Sequence, residues 1–152
     1  MSGAPAPVSE QQVQEDLMRL DAYREQLNAM LQQHQILEAS RADHLRARDS
    51  LEGIDRAAAA SEYLLPLGGE TWVRGSVDSA ASVLVGLGSG VVVEMARPKV
   101  VELLAQRVTR IDEATREIES QVNSLNDRIQ MLSRRLDAIA RGTPGPTDVG
   151  RP

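Results

Sequence analysis

The sequence predicts a predominantly helical α+β protein, in which a long antiparallel two-helix coiled coil carries two tandem β-hairpins at its base. Residues 10–56 and 99–141 contain no proline and repeat apolar residues at alternating spacings of three and four. Between them lie two stretches of strand-favouring residues that match at an offset of twenty positions. Phe is absent and Trp occurs once, which favours a thin, extended core over a large globular one.

Charge and composition argue against several classes of function. The 152-residue chain has 17 basic residues dispersed among 22 acidic ones, so its net charge is −5 and no basic patch fits a nucleic-acid backbone. The absence of Cys rules out disulfides and thiolate chemistry. The first residues, MSGAPAPVSEQQ, lack the features of a secretory signal, and no apolar run has transmembrane length. We therefore expect a cytoplasmic protein without a membrane anchor.

An N-terminal helix is predicted over residues 9–57, after a mobile tail at residues 1–8. Ser9 and Gln12 have the spacing of a capping box at its start. Such a helix would be about 70 Å long, which is rare in globular domains and typical of coiled coils.

Heptad spacing predicts a seam on this helix, meaning the row of side chains that faces the partner helix. The predicted row is Val13, Leu17, Leu20, Arg24, Leu27, Leu31, His34, Glu38, Arg41, Leu45 and Arg48. A second stripe drifts away from it through Met30, Leu37, His44 and Leu51. We therefore expect a seam that is broad or twisted near its middle.

The C-terminal helix is predicted over residues 98–141, followed by a disordered tail at residues 142–152. Pro98 suits the first helical turn and Gly142 a left-handed stop. Its predicted seam is Val101, Leu104, Val108, Ile111, Thr115, Ile118, Val122, Leu125, Ile129, Leu132, Leu136 and Ile139. Antiparallel pairing of the helices then predicts Leu31 near Val122 and Leu17 near Leu136.

The connector, residues 58–97, predicts four strands in the runs EYLLPL, TWVRGSV, SVLVGL and GVVVEM. Glycines at Gly68–Gly69 and around Ser89 supply the positive φ angles of two turns, so each repeat forms one β-hairpin. Two hairpins leave open sheet edges, which a closed barrel built from several chains would pair. The repeat therefore predicts an oligomerisation region.

Eight strand residues are expected at contacts between subunits: Leu65, Leu67, Trp72, Val73, Val83, Val85, Val91 and Val93. For Trp72 a core position is the alternative, and an interface is preferred because indole is common in contacts between chains.

The chain resembles the prefoldin family over its whole length, most specifically in YLLPLGGETWVRGSV and SVLVGLGSGVVVEM. Two tandem hairpins between the helices are similar to the alpha-type subunit, since beta-type subunits carry one. The resemblance implies an ATP-independent holdase of archaea and eukaryotes, built as a hexamer of two alpha-type and four beta-type chains. It further implies a double β-barrel body, with non-native polypeptide held at the coiled-coil tips and passed to a group II chaperonin.

The predicted tips are the start of the first helix and the end of the second. Their apolar side chains are expected to contact an unfolded chain, because helix ends fray and unbranched Met adapts to many partners. These residues are Val13, Leu17, Met18, Leu20, Met131, Leu132, Leu136 and Ile139. Packing within the coiled coil is the alternative use for the same side chains.

Other chemistry is weakly supported by the sequence. The run GLGSG is followed by a strand, so it favours a hairpin turn over a phosphate-binding loop. His34 and His44 are ten residues apart, which places them on different helix faces and does not suit a metal pair. No catalytic constellation stands out, and neither enzyme activity nor a cofactor is expected. Two rival hypotheses are a coiled-coil scaffold that holds no client and a regulatory module that binds a metal or nucleotide.

Overall fold

The computed structural model describes residues 8–56, 61–78 and 82–142 of the chain. Its elements, in order, are α1 (Glu10–Arg56), β1 (Glu62–Gly68), β2 (Thr71–Ser76), β3 (Val83–Gly88), β4 (Val91–Met95) and α2 (Arg97–Ala140). Two long helices flanking two antiparallel strand pairs confirm the predicted fold class. Both predicted tails lie almost entirely outside the described residues.

The described residues fall into two compact units. The terminal unit contains the chain up to Ile36 and from Thr115 onward, and the hairpin unit is Leu37–Ala114. Each unit contains a part of both helices, and the hairpin unit also contains all four strands. No described helix is both long enough and apolar enough to cross a membrane.

Capping residues define the helix ends. The Ser9 Oγ accepts a hydrogen bond from the Gln12 backbone N–H at 3.3 Å, so the predicted N-cap is confirmed. Pro98 lies in the first turn of α2, where the Ala96 carbonyl accepts bonds from the backbone N–H groups of Lys99 and Val100. Gly142 follows α2 at φ 69° and donates to the Ile139 carbonyl at 3.1 Å, which confirms the left-handed stop.

The seam of α2 is as predicted. All twelve predicted positions are buried or half-buried, and Leu104, Val108, Ile118 and Leu125 are the most deeply buried apolar ones. Their regular three-four spacing keeps one stripe of the helix against its partner over its whole length.

The predicted seam of α1 is wrong at four alternate positions from Leu17 to Glu38, whereas Leu45 is half-buried as predicted. Leu17, Arg24, Leu31 and Glu38 are exposed, and each is replaced in the seam by the residue immediately before it. The observed seam is Val13, Asp16, Leu20, Tyr23, Leu27, Met30, His34, Leu37, Arg41, His44, Arg48 and Leu51. The second predicted stripe, Met30, Leu37, His44 and Leu51, therefore belongs to the seam and supplies every second position of a strict heptad repeat. Burial does broaden over residues 40–45, where only Asp43 is exposed.

Contacts between the helices fix their antiparallel register. Leu31 and Val122 line one shallow cavity of about 320 Å³, which confirms that pairing. Leu17 lies outside the seam, whereas its expected partner Leu136 is half-buried. At the same end, Asp16 pairs with Arg135 instead.

The two hairpins repeat each other residue by residue. Leu65 pairs with Val73 in the first hairpin (β1 and β2), and Val85 pairs with Val93 in the second (β3 and β4), an offset of twenty positions. The register shifts at equivalent places, before Gly68 and before Gly88. Each turn then has three consecutive residues at positive φ, which include Glu70 in one and Ser89 in the other.

Only the second hairpin packs on the core of the hairpin unit. Val85, Val100 and Leu104 form a buried cluster, and partly buried side chains of Leu51, Leu103, Val83, Val93 and Met95 surround it. The Arg107 guanidinium also donates to the Gly86 carbonyl at 2.6 Å, which fixes β3 against α2. One face of the second hairpin is thereby covered by the chain's own helices.

The seam assignment predicts unequal effects of two leucine truncations. Leu125→Ala is expected to lower the free energy of unfolding by about 2–5 kcal/mol because it leaves a cavity in the seam. Leu31→Ala removes the same atoms from an exposed position and is expected to cost no more than about 1 kcal/mol. Urea unfolding followed by far-UV circular dichroism measures both, and equal losses would return Leu31 to the seam.

Candidate functional site

Each hairpin presents an apolar strand face to solvent. Strand alternation and pairing place Leu84 and Val92 on the uncovered face of the second hairpin, where Leu84 is 72% exposed. The equivalent residues of the first hairpin are Leu64 and Trp72, and both are exposed. Arg74 and Glu94 lie on the same faces, opposite Leu64 and Leu84. Several exposed large apolar side chains on one face indicate a partner surface.

The opposite face of the first hairpin is also uncovered. Its Leu65 and Val73 are exposed, whereas their equivalents Val85 and Val93 contact the helical core. The Leu65 side chain lies over Gly75, where a Cβ would come within 2.9 Å of Leu65 Cδ1. The first hairpin thus offers apolar residues on both of its faces.

The predicted interface residues separate into two groups. Exposed ones are Leu65, Leu67, Trp72, Val73 and Val91, and these are available to another chain. Val83, Val85 and Val93 instead contact the helices of their own chain. Sequence reasoning missed Leu64, Leu84, Leu87 and Val92, all of them exposed. The twenty-residue offset could have found Leu87 and Val92, because it pairs them with the predicted Leu67 and Trp72.

The second candidate surface is the tip, which we define as residues 10–24 of α1 and 128–142 of α2. Three of its apolar side chains are largely in solvent: Leu17 is 47% exposed, Met18 64% and Met131 65%. Val13, Leu132, Leu136 and Ile139 are half-buried in the seam. Leu20 is only 5% exposed, so in the closed helix pair it serves packing.

A buried carboxylate interrupts the apolar seam of the tip. Asp16 is 4% exposed, and its Oδ2 lies 3.4 Å from Nε of Arg135, whose side chain is half in solvent. That Oδ2 makes no hydrogen bond. The sequence prediction assigned this seam position to Leu17, and the acidic residue gave no apolar signal that could have revealed it.

Two further polar seam residues of α1 pair with acids on α2. His34 Nε2 lies 3.4 Å from Glu119 Oε1 in the terminal unit. In the hairpin unit, Arg41 Nε donates to Asp112 Oδ1 at 2.6 Å. The hydrogen bond that Arg41 donates to Asp112, together with the negative charge of that carboxylate, raises the pKa of Arg41 above its ordinary value. These partners are seven residues apart on each helix, so a heptad alignment could have predicted them.

The two histidines have separate surroundings. His34 faces Glu119, and His44 Nδ1 lies 2.7 Å from the Ser40 carbonyl of its own helix. Within residues 8–56, 61–78 and 82–142, no three His, Asp or Glu side chains come together as metal ligands would. What the described surfaces offer is apolar contact area.

Comparison with known proteins places this architecture in a family. Residues 11–142 match the family model described as prefoldin subunit. Prefoldin subunit alpha of Methanoculleus marisnigri is 33% identical over 125 residues, which cover 82% of this chain and 83% of that protein. Prefoldin subunit alpha of Archaeoglobus fulgidus is 27% identical over 130 residues, which cover 86% and 95%.

Solved structures show the same fold. A filamentous prefoldin from Methanocaldococcus jannaschii aligns with a TM-score of 0.64 at 17% identity, covering 76% of this chain and 95% of that one. The prefoldin beta subunit from Thermococcus strain KS-1 aligns with a TM-score of 0.57 at 19% identity, covering 93% and 98%.

Paired helices joined through two exposed hairpins define a coiled-coil protein with a strand surface suited to assembly. The chain belongs to the prefoldin family. Its curated relatives are alpha subunits, which confirms the alpha-type resemblance predicted from the tandem hairpins.

The Arg41–Asp112 pair predicts a stability effect that a double variant reverses. Asp112→Ala leaves the half-buried Arg41 side chain without this acidic partner, so the thermal midpoint is expected to fall. Arg41→Met combined with Asp112→Ala fills the seam with an apolar side chain and is expected to recover most of that loss. Thermal melts followed by circular dichroism test this, and a double variant as unstable as Asp112→Ala would contradict it.

Proposed function

We propose that this chain is an alpha-type subunit of an ATP-independent chaperone that holds non-native polypeptides at coiled-coil tips in the cytoplasm. Its partners are beta-type prefoldin subunits, in a complex of two alpha-type and four beta-type chains. The held client then passes to a group II chaperonin. The function is binding, without catalysis, cofactor or nucleotide.

The observation that carries the proposal is that two groups of exposed apolar side chains belong to different units of the chain. The strand surface lies in the hairpin unit and includes Leu84 and Trp72, whereas the tip lies in the terminal unit and includes Met18 and Met131. One surface can therefore be covered by neighbouring subunits while the other remains accessible. Family membership supports assigning the strand surface to assembly.

Assembly on the strand surface has a physical reason. An isolated two-stranded hairpin is marginal in water, and its open edges present unpaired backbone groups. Strands from partner subunits would pair those edges and cover Leu64 and Leu84. The first hairpin has the most to gain, because Leu64 and Trp72 on one face and Leu65 and Val73 on the other are exposed.

Client binding at the tip would begin with Leu17, Met18 and Met131, which are already exposed. The half-buried Val13, Leu132, Leu136 and Ile139 become available where the helix ends fray. A single tip buries little area, worth a few kcal/mol at about 25 cal/mol per Å². Several tips on one body raise the effective concentration, so a client is held more firmly than by one chain.

The assembly half of the proposal predicts a charge-sensitive strand surface. Leu84→Arg places a charge at a side chain that is 72% exposed, so the helical content is expected to stay unchanged. Complex formation with a candidate beta-type subunit is expected to be lost, because the charge would be buried without a partner. Light scattering of the mixture measures this. Ile36→Arg, at an equally exposed site on α1, is the matched control and is expected to assemble normally.

The client-binding half predicts an effect of the tip methionines. Met18→Gln with Met131→Gln removes exposed apolar area without changing the seam. The assembled complex is therefore expected to need a several-fold higher molar ratio of complex to denatured protein to keep that protein soluble without ATP. Ile36→Gln is the control, since it removes one exposed apolar side chain away from the tip. A wild-type complex that assembles but suppresses no aggregation would favour the scaffold hypothesis.

A further inference from the structure

Asp16 is the one carboxylate in either seam of the described helices. It replaces an apolar residue between Val13 and Leu20, in the part of α1 that belongs to the tip. Carboxylates are rarely buried unless they are fully paired, because desolvation penalises the charged form. Here the Oδ2 atom is buried and makes no hydrogen bond with any residue that the structure describes.

Arg135 offsets only part of that desolvation cost. Its Nε is 3.4 Å from Asp16 Oδ2, and half of its side chain is in solvent, so water screens the attraction. An ion pair of this kind stabilises a seam less than a well-packed apolar residue of similar volume. The seam of the tip is therefore weaker at this layer than its apolar neighbours would make it.

Opening of the tip removes the desolvation cost of Asp16 and, at the same time, exposes apolar surface. When the first turns of α1 separate from the last turns of α2, the carboxylate regains water. The same separation uncovers Leu20, Leu132 and Leu136, which the closed pair keeps buried or half-buried. An unfolded chain could then take the place of the opposing helix along this stretch.

We propose that Asp16 sets how readily the tip opens, and thereby how much of its seam an unfolded polypeptide can reach. This inference rests on the proposed holding function and adds a residue that tunes it. Asp16 is a positioning residue in this role: it acts on the helix pair and needs no contact with the client.

Thr115 provides a matched control within the same seam. It is also buried, and its Oγ1 has no hydrogen-bond partner. It lies outside the tip, so Thr115→Val removes a buried polar group from a seam position without changing the tip. Any general effect of replacing a buried polar group in the seam with an apolar one would appear in this variant as well.

The test compares full-length Asp16→Leu, Asp16→Asn, Arg135→Gln and Thr115→Val with the wild-type chain. Hydrogen exchange of residues 10–24 and 128–142 reports opening of the tip. Asp16→Leu is expected to slow this exchange roughly tenfold or more, and Asp16→Asn by less. Arg135→Gln leaves the carboxylate without its cation and is expected to speed the exchange. Thr115→Val is expected to leave exchange at the tip unchanged.

Client holding is measured on the same variants after assembly with a beta-type subunit, using a chemically denatured protein as the probe. Asp16→Leu is expected to require a several-fold higher molar ratio of complex to denatured protein to prevent aggregation, whereas Thr115→Val is expected to hold the denatured protein as the wild type does. Unchanged exchange in both Asp16 variants would overturn the inference, and so would slower exchange with unchanged holding. Failure of the proposed function is distinct: the wild-type complex would then hold no client at all, whatever its exchange rates.

Discussion

The apolar seam between α1 and α2 is the contact on which the rest of the structure depends. Helices of 47 and 44 residues gain most of their stability from packing, and no large globular core is available to them. The second hairpin is anchored at one end of this seam, through Val85 against Val100 and Leu104. A two-stranded sheet is marginal by itself, so the second hairpin depends on its contact with the helix pair. The seam therefore supports both exposed surfaces.

The sequence prediction agrees best with the structure where only one of two neighbouring residues is apolar enough for the seam. Along α2 nearly every seam position is apolar, and in the turns glycine supplies the required φ, so both could be predicted. On α1 the choice lay between neighbours such as Asp16 and Leu17 or Met30 and Leu31. Hydrophobicity favours the leucines, whereas the structure buries the residues before them. Only the position of the partner helix, which is non-local information, decides between such pairs.

The sequence predicted that the hairpins and the tip would form apolar surfaces, but it did not predict all of the exposed residues. Large apolar residues occur on both faces of each hairpin, so alternation alone could not say which face meets α2. The structure resolves this for the second hairpin through the Val85 cluster and the Arg107–Gly86 hydrogen bond. Two hairpins with the same pairing pattern thus have different surroundings. The second is fixed to its own helices, and the first is left with apolar residues on both faces.

The strict heptad of the observed seam has a consequence for the length of the molecule. Each layer contacts only the layers on either side of it, and the layers repeat every seven residues on both helices. Inserting one heptad in α1 and a matching heptad in α2 would therefore preserve every existing layer and the hairpin contacts alike. The two helices can therefore change length by whole heptads while the strands remain as they are.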